Sequence, residues 1–238
     1  MKRNQNWITE QFVRQYRLSA EMRWAHWIRA IAILALVVTG FYLARPYLTP
    51  EPVLEPVKFQ YAMWRFVHIV CGFALAGITI FRIYVFFFDL RSRRAEWTSF
   101  YTTFKPKTWW QQLKYYALLS DSTIAKEGIY GPLQHVSYIM LMLMLIGEIL
   151  TGFILHSAGY GQGLGGLLGE FLAPLTVWMG GLAGVRNIHY LLMWGILIFI
   201  PIHIYMVFWY SNRHPSGSVD AIFNGYVFKK VDDKKTMQ

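Results

Sequence analysis

One apolar run constrains this chain more than any other. Arg186 to His203 reads Arg-Asn-Ile-His-Tyr-Leu-Leu-Met-Trp-Gly-Ile-Leu-Ile-Phe-Ile-Pro-Ile-His, with His189 and His203 standing 14 positions apart. On an α-helix, 14 steps of about 100° leave the two imidazoles about 40° apart around the axis, on one face. A rise of about 1.5 Å per residue separates them by about 21 Å along it. Most of a hydrocarbon layer about 30 Å thick would lie between them. One membrane helix therefore offers an imidazole near each surface, a geometry suited to two metal centres stacked across a bilayer.

The rest of the chain supports a membrane setting. Of 238 residues, 55% are hydrophobic and only 15% charged, against about 25% charged in a soluble domain. A net charge of +10 would suggest nucleic acid in a soluble protein. Here the basic residues fall between apolar runs, so no nucleic-acid partner is expected. The single cysteine, Cys71, reads as a small buried hydrophobe. No secretory signal peptide is evident, because the first 20 residues are polar.

The expected fold is an all-α integral membrane protein with four transmembrane helices in one domain, 1–238. The spans run roughly over 23–44, 62–88, 132–155 and 187–210. Residues 1–22 read as an amphipathic surface helix, and 89–131 as a loop holding surface helices. Segment 161–185 is apolar enough for a fifth span but rich in glycine. Loop charge decides against one. The N-terminal tail carries six Lys/Arg through Arg29, the 89–131 loop seven and the C-terminal tail five, whereas the 156–186 connection holds only Arg186. Four spans put all three basic regions, and both termini, on the cytoplasmic side. Residues 161–185 are then an interfacial or re-entrant segment on the outer face.

That topology gives each histidine a depth. His26 and His203 fall toward the inner surface, and His68 and His189 toward the outer. Two imidazoles per level suit haem b, which takes two protein ligands, better than zinc, which takes about four. Gly40, 14 residues after His26, leaves room for a flat macrocycle. Arg82, 14 after His68, stands at the inner level, where it suits a propionate. Arg23, Arg65 and Arg186 each precede a histidine by one turn. The same arginines near span ends also suit snorkelling.

Two stretches resemble a known family, the b-type cytochrome subunit of membrane-bound nickel–iron hydrogenases. One is Arg23-Trp-Ala-His26-Trp27 followed by an apolar run ending Thr39-Gly40. The other is Arg186-x-x-His189 with Trp194, Phe199 and His203. The four-span layout extends the resemblance over nearly the whole chain. It implies a dihaem cytochrome b in a bacterial inner membrane, with His26, His68, His189 and His203 as the axial ligands. It also implies large (nickel–iron) and small (iron–sulfur) partner subunits outside, and a quinone, menaquinone or ubiquinone, reduced near the inner haem. The cytochromes of formate dehydrogenases share this plan and are the nearest alternative.

Other polar residues complete the reading. His135, Tyr138, Tyr205, Tyr210 and Asn212 are expected at the inner level and form a candidate quinone site. Glu148 is the one carboxylate within a span interior and is expected to pair with Arg65 or Arg186. His156 reads as a surface residue at the outer end of span three. No nucleotide loop, hydrolytic triad or CxxC occurs, so the chain is not expected to be an enzyme on its own. A histidine-lined metal-ion or proton transporter is the alternative from a different class. It would carry acids along the same path, and only Glu148 qualifies.

Overall fold

The computed structural model describes residues 12–47, 59–88, 106–119, 132–213, 217 and 219–230. In chain order the elements are strand β1 (Phe12–Tyr16) and helices α1 (Ala20–Ala44), α2 (Gln60–Phe88), α3 (Pro106–Tyr116), α4 (Pro132–Gly159), α5 (Leu164–Trp178), α6 (Gly181–Arg213) and α7 (Ala221–Asn224). Strand β2 (Tyr226–Lys230) ends the series. Among the described residues, four helices are long and apolar enough to cross a membrane: α1, α2, α4 and α6. The chain divides into two compact units, 28–200 and 1–27 with 201–238.

In unit 28–200 the four long helices meet through one buried residue each: Ala32 of α1, Leu75 of α2, Leu145 of α4 and Ile196 of α6. Small residues bring α4 and α6 close, the usual device where lipid removes the hydrophobic drive between helices. A Cβ on Gly147 would come within 2.8 Å of Leu192 Cδ1, and one on Gly195 within 2.6 Å of Met144 Sδ. Close approach here sets His189 of α6 against the face of α4. A second apolar cluster, Ile154, Leu172 and Val185, packs α5 between the end of α4 and the start of α6. Gln112 of α3 accepts the Leu133 N–H at 2.8 Å and so satisfies one of the orphan donors that begin α4.

Unit 1–27 with 201–238 is built on an antiparallel β1–β2 pair, Phe12 opposite Lys230 and Tyr16 opposite Tyr226. The Arg14 guanidinium lies over the Tyr226 ring at 3.6 Å. Gly225 closes α7 in the left-handed region, φ 86°, and its carbonyl accepts the Arg17 and Leu18 N–H groups. The start of α1 is tied to α7 twice: the Arg23 guanidinium donates to the Phe223 carbonyl, and Trp27 Nε1 donates to the Ile222 carbonyl at 3.3 Å.

The chain differs from the sequence expectation at two places, the N-terminal tail and the start of α6. The described part of the N-terminal tail is not a surface helix: Phe12–Tyr16 is a strand, and α1 starts at Ala20 behind Ser19, whose Oγ accepts the Met22 N–H. A two-stranded sheet therefore joins an otherwise helical fold. The reason is non-local, since the partner strand lies more than 200 residues away. Segment 161–185 resolves into helix α5, a turn and the first residues of α6. Fifteen residues rise only about 22 Å, too short to cross. Gly180 and Gly181, at φ 86° and 78°, separate the two helices, and α6 begins at Gly181, six residues before the expected 187. Of the 89–131 loop, α3 is described; most of the remainder lies outside the described residues.

Candidate functional site

The four histidines form two ring pairs, each inside one unit. His68 of α2 and His189 of α6 have ring centroids 6.4 Å apart. His26 of α1 and His203 of α6 have theirs 6.5 Å apart. Metal–imidazole bonds of about 2.0–2.1 Å, with each nitrogen about 1.1 Å from its ring centre, let two rings sharing one metal stand up to about 6.4 Å apart. Both pairs have that separation. Among the described residues no group of three or more His, Cys, Asp or Glu side chains is arranged for a metal ion, so each pair offers two protein ligands.

Proton counting fixes the tautomers of the first pair. Thr39 Oγ1 donates its one proton to the Ala35 carbonyl at 2.7 Å. It therefore accepts from His68 Nδ1, also at 2.7 Å. Thr151 repeats the arrangement on α4, donating to the Gly147 carbonyl at 2.7 Å and meeting His189 Nδ1 at 2.8 Å. Glu148 Oε2 lies 2.7 Å from the same Nδ1. Both rings thus carry hydrogen on Nδ1 and keep a bare Nε2 lone pair. This is how metal-bound histidines are held, with the second nitrogen donating to an oriented acceptor. In each case the residue after the threonine is a glycine against the same ring. A Cβ on Gly40 would lie 3.5 Å from His68 Cε1, and one on Gly152 would lie 3.6 Å from His189 Cε1.

The remaining expected residues have the following surroundings. Glu148 pairs with His189, not with Arg65 or Arg186; it stands one turn before Thr151 on the α4 face that meets the ring. The Arg65 guanidinium packs on Gly159, where a Cβ would come within 2.6 Å, and Arg186 is exposed. Arg82 is half-buried and lies near enough to Arg29 of α1 to act on its charge, with Tyr138 also close to Arg29. Arg23 holds the Phe223 carbonyl. His156 is half-buried, edge-on to Phe73 and stacked on Tyr160. Buried His135 and half-buried Tyr138, whose hydroxyl accepts from Gln134 at 2.9 Å, belong to unit 28–200. Tyr205, Tyr210 and Asn212 belong to the other unit. There Tyr205 and Asn212 line a shallow apolar groove on α6 with Ile204, Phe208 and Trp209.

Sequence reasoning assigned no role to Thr39, Thr151 or Arg29. A signal for the threonines existed: Thr-Gly occurs at 39–40 and again at 151–152.

The model of the prokaryotic cytochrome b561 family matches residues 17–225. The chain belongs to that family. Among curated relatives, a probable Ni/Fe-hydrogenase B-type cytochrome subunit of Rhizobium leguminosarum bv. viciae is 30% identical over 92% of this chain and 91% of its own. Its counterpart in Rhodobacter capsulatus is 29% identical over 91% and 82%. A probable Ni/Fe-hydrogenase 1 B-type cytochrome subunit of Escherichia coli K12 is 25% identical over 95% and 97%. A b-type cytochrome implies haem b, and the residues present fit it. The two ring separations match a shared metal, and in the His68/His189 pair both Nε2 atoms are left bare by their Nδ1 partners.

Proposed function

We propose that this cytochrome b561 family member is the dihaem membrane subunit of a nickel–iron hydrogenase. In that role it carries electrons from an iron–sulfur partner subunit outside a bacterial inner membrane to a quinone. The observation that carries the reading is the presence of two imidazole pairs with metal-sharing separation on helices able to span a bilayer. The names of the relatives support the hydrogenase partner.

His68 and His189 would hold one haem and His26 and His203 the other. When bound, each group supplies reversible one-electron chemistry at its iron. The chain's part is to orient and screen. Thr39 and Thr151 lock the imidazoles of the first pair, and Gly40 and Gly152 keep side chains off their Cε1 edges. Arg82, with Arg29 beside it, suits a propionate carboxylate; Arg23, Arg65 and Arg186 are assigned the same role at the other positions. Reduction of a quinone takes up protons, so its site needs hydrogen-bonding groups near water. His135 and Tyr138 in one unit, and Tyr205, Tyr210 and Asn212 in the other, are separate candidates for such groups, expected at the cytoplasmic side.

With both termini inside, electrons cross from the outer to the inner level while quinone protons are drawn from the cytoplasm. That separation stores about 2.3 kcal/mol per electron per 100 mV. Proteoliposomes holding the whole complex, given hydrogen and a dimethyl-naphthoquinone, are expected to build a membrane potential during turnover. Turnover without a potential would move the quinone site to the outer face. Reporter fusions at Gln238 and near Gly163 are expected on opposite sides of the membrane.

A further inference from the structure

The two imidazoles of the His68/His189 pair are held unequally. His68 meets only neutral partners: Thr39 Oγ1 lies 2.7 Å from its Nδ1, and the Leu36 backbone also hydrogen-bonds the ring. His189 Nδ1 meets the equivalent hydroxyl of Thr151 at 2.8 Å and, in addition, the Glu148 carboxylate at 2.7 Å. Neutral partners fix tautomer and ring plane on the His68 side. The carboxylate adds charge to a job already done.

That addition is costly. Glu148 lies in the interior of a membrane-spanning helix with its side chain only 11% exposed, where an acidic residue disfavours insertion. Its Oε1 is buried and has no hydrogen-bond partner among the described residues. Neither Arg65 nor Arg186 is paired with it; what it touches is the ring of a haem ligand.

We infer that Glu148 is a positioning residue that acts through His189 to hold down the reduction potential of the haem bound by His68 and His189. The inference rests on the ligand assignment above. Its chemistry is general. A carboxylate accepting the Nδ1 hydrogen gives the imidazole partial imidazolate character and makes it a more basic ligand. A more basic ligand and a nearby negative charge both favour ferric over ferrous iron, since the oxidised site carries one more positive charge. Hydrogen bonding around the ligands is one of the levers by which a protein sets a haem potential. The inequality of the two sides also makes the effect specific to this pair.

The test is a redox titration of the full-length, haem-loaded protein in membranes, with each haem followed by its optical band. A His68→Ala variant first identifies the component belonging to this pair. If that variant removes no component, the ligand assignment fails before Glu148 is addressed. Glu148→Gln keeps shape and removes charge. It is expected to shift that component's equilibrium toward the reduced form by about tenfold, about 59 mV for a one-electron couple, and to move its low-spin ferric EPR signal. The other haem should stay unchanged. Glu148→Asp keeps the charge and should shift the equilibrium less than threefold. An unshifted component in Glu148→Gln would overturn the inference. So would equal shifts in Glu148→Gln and Glu148→Asp, which would assign the effect to packing instead of charge.

Discussion

The two imidazole pairs share a ring separation but are supported differently. Around His68 and His189 the support is side chain on side chain within membrane-spanning helices: two threonines, a carboxylate and two glycines. Around His26 and His203 the unit is tied together by backbone carbonyls of α7 and by a two-stranded sheet joining the ends of the chain. Arg23 and Trp27, flanking His26 by one turn and one residue, grip Phe223 and Ile222. The first pair is oriented by local polar chemistry in an apolar surround, where each hydrogen bond must close within the helices. The second is framed within its own unit by α7 and the β1–β2 pair.

The largest test of this contrast removes a ligand. His189→Ala and His26→Ala are each expected to abolish one of two spectral components in a reduced-minus-oxidised spectrum, and a different one in each case. Loss of the same component in both would dissolve the pairing. A smaller effect is expected from Thr39→Val or Thr151→Val, which preserve shape and each remove a hydroxyl acceptor for Nδ1, Thr151→Val leaving the Glu148 carboxylate in place. Partners of this kind are worth about 10–100-fold in metal affinity, so haem retention on dilution should fall by that order at the His68/His189 pair alone. If both components weakened equally, the threonines would be serving general packing. The smallest change is expected from Trp27→Phe. It deletes one hydrogen bond, worth about 1 kcal/mol, and should lower the thermal midpoint for loss of the His26/His203 component while the other stays fixed. A shift of both components would show that support for the two pairs is shared.

The sequence was informative where a single helix carries the information. Apolar runs of about 20 residues located four spans, and the ends of α2 agree with the expectation to within two residues. It was misleading where distant segments meet. Phe12–Tyr16 looked like part of a surface helix because its partner, Tyr226–Lys230, lies at the other end of the chain. Glu148 looked like an arginine partner because charge alone suggests opposite charge. The close approach of α4 and α6 through Gly147 and Gly195 brings His189 to it instead.

By itself, the sequence determined how many helices can span a bilayer and that α6 presents two histidines on one face. Both follow from the fixed rise and turn of an α-helix, which need no knowledge of neighbours. Only the tertiary structure decided which nitrogen of His68 and His189 is free. That depends on hydroxyls 29 and 38 residues away in the chain, on helices whose approach is set by packing rather than by local pattern. A hydrogen bond of 2.7 Å is a property of two helices at once, and neither sequence segment specifies it alone.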